Sequence, residues 1–276
     1  MLDTIPNFSY TDQHDPILKK CIIRIIEWIT GKNLLKSRYL KAQLFVKEKG
    51  WNFWEAALQA LEIKLNYSHL TLSNLPKQGP LVVVANHPFG ILDGIIICHL
   101  IEKIRPDFKI LTNSMLCQAE EMSPYLLPID FSQTKEAMQL NLQSRKEALL
   151  HLKEKGTIIL FPAGGVSTTV GYRGKATDSE WKTFTASLIQ QSGANVVSIY
   201  FQGQNSRLFQ WVSQFSLTLR LSLLIREACN KIGKEINIHI GDTIFYPSIA
   251  HLKDRKVLTN YLREFTYNLS RPKTKA

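Results

Sequence analysis

Leu81-Val82-Val83-Val84-Ala85 runs straight into Asn86-His87-Pro88-Phe89-Gly90-Ile91-Leu92-Asp93-Gly94, and the reading of this stretch decides the fold. Five apolar residues stand between the Leu75-Pro76-Lys77-Gln78-Gly79-Pro80 turn and Asn86, and Val82, Val83 and Val84 are β-branched. An unbroken apolar run of this length, bounded by turn residues, predicts a strand buried on both faces, as in a parallel sheet. A helical stretch follows over about 93–104. In α/β sheets the ligand crevice lies just past the end of such a strand.

Outward from here the pattern alternates. Strands are expected over 108–112, 157–161, 196–201 and 236–240, with helices over 132–155, 178–192 and 252–268. Within 132–155, Met138, Leu142, Leu149 and Leu152 share one side. Upstream, Ile17, Leu18, Cys21, Ile22, Ile25, Ile26 and Ile29 recur at helical spacing between Pro16 and Gly31, with Lys19, Lys20, Arg24 and Glu27 between them. That is an amphipathic helix, suited to packing on the protein or to lying on a membrane. Further helices are expected over 34–49 and 52–65, and a short strand at Leu70-Thr71-Leu72. The expectation is an α/β fold: a mainly parallel central sheet flanked by helices, with an N-terminal helical addition. Residues 1–65 form the extension packed on the core, 66–270 the α/β domain and 271–276 a polar tail.

The charge is basic, 34 Lys and Arg against 23 Asp and Glu, or +11. Such a surplus favours an anionic partner. Residues 17–49 hold nine basic residues against Glu27 and Glu48, and 205–276 hold twelve against five. Both stretches also carry large apolar side chains, a mixture that suits an anionic membrane surface better than nucleic acid, for which no motif is present. Cys21, Cys98, Cys117 and Cys229 are irregularly spaced and signal neither a disulfide framework nor zinc, in keeping with a reducing compartment. The first fifteen residues do not read as a secretory signal, and no apolar run is long enough to span a bilayer, so membrane contact is expected to be peripheral. The apolar segment 208–226, with Phe209, Trp211, Val212, Phe215, Leu219, Leu223 and Leu224, suits either core or membrane.

For chemistry the leading pair is His87 and Asp93. A neutral imidazole accepts a proton near pH 7, and does so best when a carboxylate holds its other nitrogen. The turn through Pro88 and Gly90 is suited to fold the two together; a strand-end turn with Asp93 as a helix cap is the alternative. A second segment, Phe161-Pro162-Ala163-Gly164-Gly165-Val166-Ser167, ends a strand in small residues whose N–H groups can face an anion or a developing oxyanion. The hydroxyls of Ser167 and Thr168 can add donors, and Arg173 and Lys175 lie near in sequence. A third, Gln202-Gly203-Gln204-Asn205-Ser206-Arg207, is an amide-rich turn fit to line an acceptor site. Neither a nucleophile elbow, a nucleotide phosphate loop nor a recognised metal-ligand spacing is present.

Together, Ala85-Asn86-His87-Pro88-Phe89-Gly90-Ile91-Leu92-Asp93-Gly94, Phe161-Pro162-Ala163-Gly164 and Gly203-Gln204-Asn205-Ser206 resemble the glycerophospholipid (lysophospholipid) acyltransferase superfamily. The chain looks most like its bacterial hemolysin-like branch, that of lyso-ornithine-lipid and lyso-glycine-lipid O-acyltransferases, and shares that branch's five-residue spacing between His87 and Asp93. The resemblance spans about 65–245. It implies an O-acyltransferase of membrane lipid biosynthesis in which His87 is the general base and Asp93 orients it. The acyl donor would be acyl-CoA or acyl-carrier protein, the acceptor a lyso-lipid hydroxyl, and no cofactor or metal is needed. Gly164, Gly165, Ser167, Arg173, Asn205, Ser206 and Arg207 would bind the acceptor or stabilise the oxyanion, with Asn86, Pro88, Gly90, Phe161 and Pro162 supporting the motif. The cytoplasmic face of the inner membrane is the implied location. Where the superfamily commonly reads FPEG followed by Thr-Arg-Ser, this chain has Ala163 for the Glu and Gly165-Val166 for Thr-Arg, which disfavours glycerol-3-phosphate-type acceptors. An inactive lipid-binding protein on the same fold is the alternative, and a thioester or phospholipid hydrolase a third reading.

Overall fold

A computed structural model describes residues 16–113, 120–132, 134–171 and 173–271. Its centre is the expected strand, β2 (Leu81–Ala85), buried along its whole length. Leu81, Val83 and Ala85 face one layer, with Trp54, Leu58, Leu92, Ile96 and Leu100. Val82 and Val84 face the other, with Leu152, Ile189, Leu258 and Leu262. The period-two geometry of a strand thus feeds two apolar cores from one continuous apolar run.

The remaining strands are β1 (Lys64–Asn66), β3 (Phe108–Asn113), β4 (Leu126–Ile129), β5 (Thr157–Leu160), β6 (Asn195–Phe201) and β7 (Glu235–Ile240). They form a seven-stranded sheet in the order β1-β7-β6-β2-β5-β3-β4. All neighbours are parallel except β6 and β7. The helices are α1 (Ile17–Thr30), α2 (Lys32–Lys49), α3 (Phe53–Ala60), α4 (His69–Ser73), α5 (Ile91–Glu102), α6 (Lys135–Lys153), α7 (Phe184–Ser192), α8 (Arg207–Val212), α9 (Leu217–Cys229), α10 (Tyr246–Ile249) and α11 (Arg255–Asn268). The mostly parallel sheet with preceding helices α1–α3 is the expected class. The chain leaves β2 toward β3 on one side and leaves its parallel neighbour β6 toward β7 on the other, so the C-terminal ends of β2 and β6 flank a switch point of the sheet.

Several expectations need correction. The helix expected over 52–65 ends at Ala60, and Lys64–Asn66 pair with β7 instead. Leu70-Thr71-Leu72 is helical, not extended, because the Ser68 hydroxyl accepts the Thr71 N–H and starts α4. On α6 the buried residues are Ala137, Ser144, Ala148 and Leu152, while Met138 and Leu142 are exposed. The buried face is therefore rotated from the expected stripe, and small residues let α6 lie close to the sheet. The segment 208–226 is two helices with divided burial: Phe209, Leu223 and Leu224 are core, whereas Trp211, Phe215 and Leu219 are exposed. Readings made on residues 1–15 and 272–276 lie outside the described residues.

Candidate active site

The end of β2 is pinned before the turn that carries His87 begins. Asn86 donates through Nδ2 to the Phe201 carbonyl at 3.0 Å and accepts the Phe201 N–H on Oδ1 at 2.7 Å. One side chain thus supplies the rung that the backbone ladder would have made next. Gly90 then turns the chain into α5 with φ of +85°, a region that L side chains avoid. Asp93, third in α5, is fully buried there. Its Oδ2 accepts the N–H groups of Phe89 at 2.8 Å and Gly90 at 3.0 Å, and lies 3.0 Å from His87 Nδ1. The helix N-terminus favours a negative charge at this position. Burial pushes the Asp93 carboxyl above its ordinary pKa, and the hydrogen bonds from His87, Phe89 and Gly90 oppose that shift.

The His87 side chain is 18% exposed and stacks on the Phe161 ring at 4.1 Å between centroids. With Nδ1 committed to Asp93, the hydrogen sits on Nδ1 and the Nε2 lone pair has no protein partner among the described residues. Asp93 is not the N-cap, which is Gly90; it stands third in α5, and its one carboxylate holds both the cap N–H and the His87 ring.

The second segment comes to the same place. Its Ser167 N–H donates to the His87 carbonyl at 2.8 Å. The Ser167 hydroxyl, read above as a donor to an oxyanion, is buried and gives its hydrogen to Asp178 Oδ1 at 2.5 Å. The Gly164 N–H is also engaged, closing a turn on the Phe161 carbonyl at 3.0 Å. Among the described residues, the N–H groups of Gly165 and Val166 have no partner within the protein. These are the segment's available donors.

Asp178 was invisible in the sequence and is the hub behind the pair. It accepts the His87 N–H at 3.1 Å, the Ser167 hydroxyl and, on Oδ2, the Trp181 indole N–H at 2.9 Å. Its own N–H donates to the Tyr267 hydroxyl at 2.7 Å, and its carbonyl accepts from Arg263 at 2.9 Å. It lies 91 positions from His87, and no local pattern marks it.

The third segment packs behind the turn. Gly203 has φ of +136°, and a Cβ there would stand 2.7 Å from the Phe89 ring. Asn205 is buried with neither amide atom hydrogen-bonded. Ser206 caps α8 and donates both its N–H (2.8 Å) and its hydroxyl (2.6 Å) to Glu227. Arg173 and Arg207 are exposed, and no contact joins either to the His87–Asp93 pair. Lys175 lies over the Tyr200 ring at 5.5 Å. His99, on α5, is buried, and burial drops its pKa to about 4, so it is neutral near pH 7. Among the described residues, no group of three His, Cys, Asp or Glu is placed to hold a metal.

Comparison with known proteins supplies a family and a shared fold. Residues 39–272 match the profile of the family described as Acyltransferase. A lyso-glycine lipid O-acyltransferase of Phocaeicola vulgatus is 28% identical over 231 residues, which is 80% of this chain and 78% of that protein. Its namesake in Bacteroides thetaiotaomicron is 26% identical over 228 residues, 80% of each chain. The crystal structure of the 1-acyl-sn-glycerophosphate (LPA) acyltransferase PlsC from Thermotoga maritima shares the fold, with a TM-score of 0.53 and 15% identity, over 91% of this chain and 99% of that one.

Proposed function

This chain belongs to the acyltransferase family and is an acyltransferase enzyme, and from that premise we propose that it moves a fatty acyl chain onto the hydroxyl of a lyso-lipid, with acyl-CoA or acyl-carrier protein as donor. An amino-acid lyso-lipid is the favoured acceptor, because the two lyso-glycine lipid O-acyltransferases cover most of the chain. The observation that carries the mechanism is the 3.0 Å contact between His87 Nδ1 and Asp93 Oδ2, which leaves Nε2 to take a proton.

In this mechanism the acceptor hydroxyl approaches Nε2 edge-on, because Phe161 covers one ring face. As its oxygen attacks the thioester carbonyl, its proton passes to Nε2 and the imidazolium is held by Asp93. Charge developing on the carbonyl oxygen is met by the N–H groups of Gly165 and Val166. Collapse of the tetrahedral intermediate breaks the carbon–sulfur bond, and the leaving thiolate recovers the proton from Nε2. The products are an ester and a thiol, and the protein ends as it began.

Peripheral attachment to an anionic membrane, at the cytoplasmic face of the inner membrane, completes the proposal. On α1, Ile17, Leu18, Ile25 and Trp28 are exposed, while Ile23 is fully buried. Exposed Trp211 and Phe215 lie beside α9, against which α1 packs. No described helix is long and apolar enough to cross a bilayer. Sedimentation with anionic vesicles tests the attachment, and a protein left wholly in the supernatant at low salt argues against it.

The test of the reaction is transfer from radiolabelled acyl-CoA or acyl-carrier protein to lyso-glycine lipid, lyso-ornithine lipid and lysophosphatidic acid. Wild type should form a diacyl product, and His87→Ala should lose about 10²–10⁴ in rate. A folded His87→Ala enzyme with near-normal activity removes His87 from the chemistry. Acyl release that needs no acceptor assigns the site to hydrolysis instead.

A further inference from the structure

Arg220 on α9 is a cation without a counter-ion at the edge of this site. Its Nη2 donates to the Val166 carbonyl at 2.5 Å, and its guanidinium lies 6.0 Å from the centre of the Phe209 ring. Among the described residues, no carboxylate lies within salt-bridge distance of it. Burial lowers its pKa, and no neighbouring acid opposes the shift. Its other N–H groups are not sealed in the interior. Arg105 shows how this protein treats a structural arginine. That side chain is buried, binds Asp107 through two nitrogens at 2.9 and 2.7 Å, and donates to the carbonyls of Gly79 and Lys155. Arg220 bears the penalty of desolvation without those partners, a combination that fits a charge waiting for a ligand.

Its position relates that ligand to the reaction. A Cβ built on Gly165 would lie 3.6 Å from Arg220 Nη2. A larger side chain at Gly165 would compete for the space beside the guanidinium. One turn along α9, Leu224 stands 3.3 Å from where a Cβ on Gly90 would be, and Val166 stands 3.4 Å from the same point. The next residue, Ser167, bonds the His87 backbone. The guanidinium therefore shares one short wall with the catalytic turn and with the free N–H groups of Gly165 and Val166.

Resting on the acyl-transfer reading above, we propose that Arg220 receives the anionic head group, a carboxylate or phosphate, of the acceptor whose hydroxyl reaches His87. Arg173 and Arg207, the cations nearest the motifs in sequence, are both exposed; Arg220 stands on α9, 54 positions beyond Val166. The planar fork matches a single compact anion and orients the hydroxyl that is tethered to it.

The test compares wild type, Arg220→Lys, Arg220→Gln and Gly165→Asp. Gly165 is not at positive φ, and an Asp there would place a carboxylate against Arg220 and occupy it without removing it. Acceptors are lyso-glycine lipid, its methyl ester and lysophosphatidic acid, and each is also measured for equilibrium binding in neutral micelles. Arg220→Gln should raise KM and Kd, and Gly165→Asp should raise Kd, roughly 10- to 100-fold for anionic acceptors. For Arg220→Gln the methyl ester and the acyl-donor KM should barely change, and Arg220→Lys should recover part of the loss; Gly165→Asp is read only through Kd, because the Gly165 N–H belongs to the oxyanion site. Whether the carboxylate or the phosphate acceptor suffers more tells which anion the site is shaped for. Equal effects on the ester and the acid, or a shift confined to the donor KM, overturn the proposal. If wild type transfers to none of the acceptors, the reaction assignment fails, and the binding arm still decides Arg220: a Kd for the anionic lipids unchanged by Arg220→Gln overturns it.

Discussion

Replacing Asp93 by Asn removes one charge and almost no volume at the buried partner of His87. The amide oxygen can take the place of Oδ2, accept the N–H groups of Phe89 and Gly90, and so preserve the turn. The amide NH2 then occupies the position of Oδ1, which is buried and has no hydrogen-bond partner. Such an unsatisfied donor costs about 1–3 kcal/mol of stability. The kinetic loss arises elsewhere. Across 3.0 Å, at an effective dielectric of about 20, an imidazolium and a carboxylate attract by about 5–6 kcal/mol. Asn keeps a dipolar share of that attraction, so about 2–4 kcal/mol of transition-state stabilisation should disappear. That is a fall in kcat of roughly 30- to 1,000-fold. The assay is diacyl-product formation at saturating donor and acceptor, with thermal unfolding as the control for fold. A folded Asp93→Asn enzyme with unchanged kcat would refute the reasoning, because it would mean that no positive charge develops on His87 during turnover.

Three further outcomes are expected. Gly203→Ala should lower stability by about 1–3 kcal/mol and reduce kcat, since its Cβ meets the Phe89 ring on a backbone already at φ of +136°; a denaturant midpoint equal to wild type contradicts this. Asp178→Ala leaves the His87 N–H, the Ser167 hydroxyl and the Trp181 N–H without their acceptor, so both stability and activity should drop, and Asp178→Asn should restore stability in part. His99 should make the fold acid-sensitive: the unfolded chain binds its proton near pH 6.5 and the folded chain near 4. Below about 6.5 the unfolded state therefore takes up more protons, so stability is full above that pH and falls on acidification toward 4. His99→Gln should flatten this part of the profile in urea titrations, and an equally steep profile counts against it.

What was legible in the sequence was whatever local pattern encodes. β2 shows itself by an apolar run, α1 by helical spacing, and His87 and Asp93 by a turn short enough to fold within one motif. The short edge strands were not legible. Lys64–Asn66 contains a single apolar residue and becomes a strand only by pairing with β7, 171 positions away in register. Leu70–Leu72 has the alternation of a strand, and the Ser68 cap overrides it. The site divides in the same way. Asp178 bonds the His87 turn and Arg220 the Val166 carbonyl beside it, each from a distant part of the chain, and neither sits in a distinctive pattern. Ser167 could be located but not interpreted, because its hydroxyl has a partner that only the tertiary fold brings near.

The Asn86 clamp has a consequence for how the site moves. The last backbone ladder pair between β2 and β6 is Ala85 with Ile199, so the Phe201 N–H would sit on a fraying edge if the side chain of Asn86 did not hold it. With the clamp in place, that amide should exchange its hydrogen with solvent as slowly as amides deep in the sheet, only through a wide opening of β2 and β6. His87 is then the first residue past a hinge that does not breathe, and its ring inherits the rigidity of the sheet.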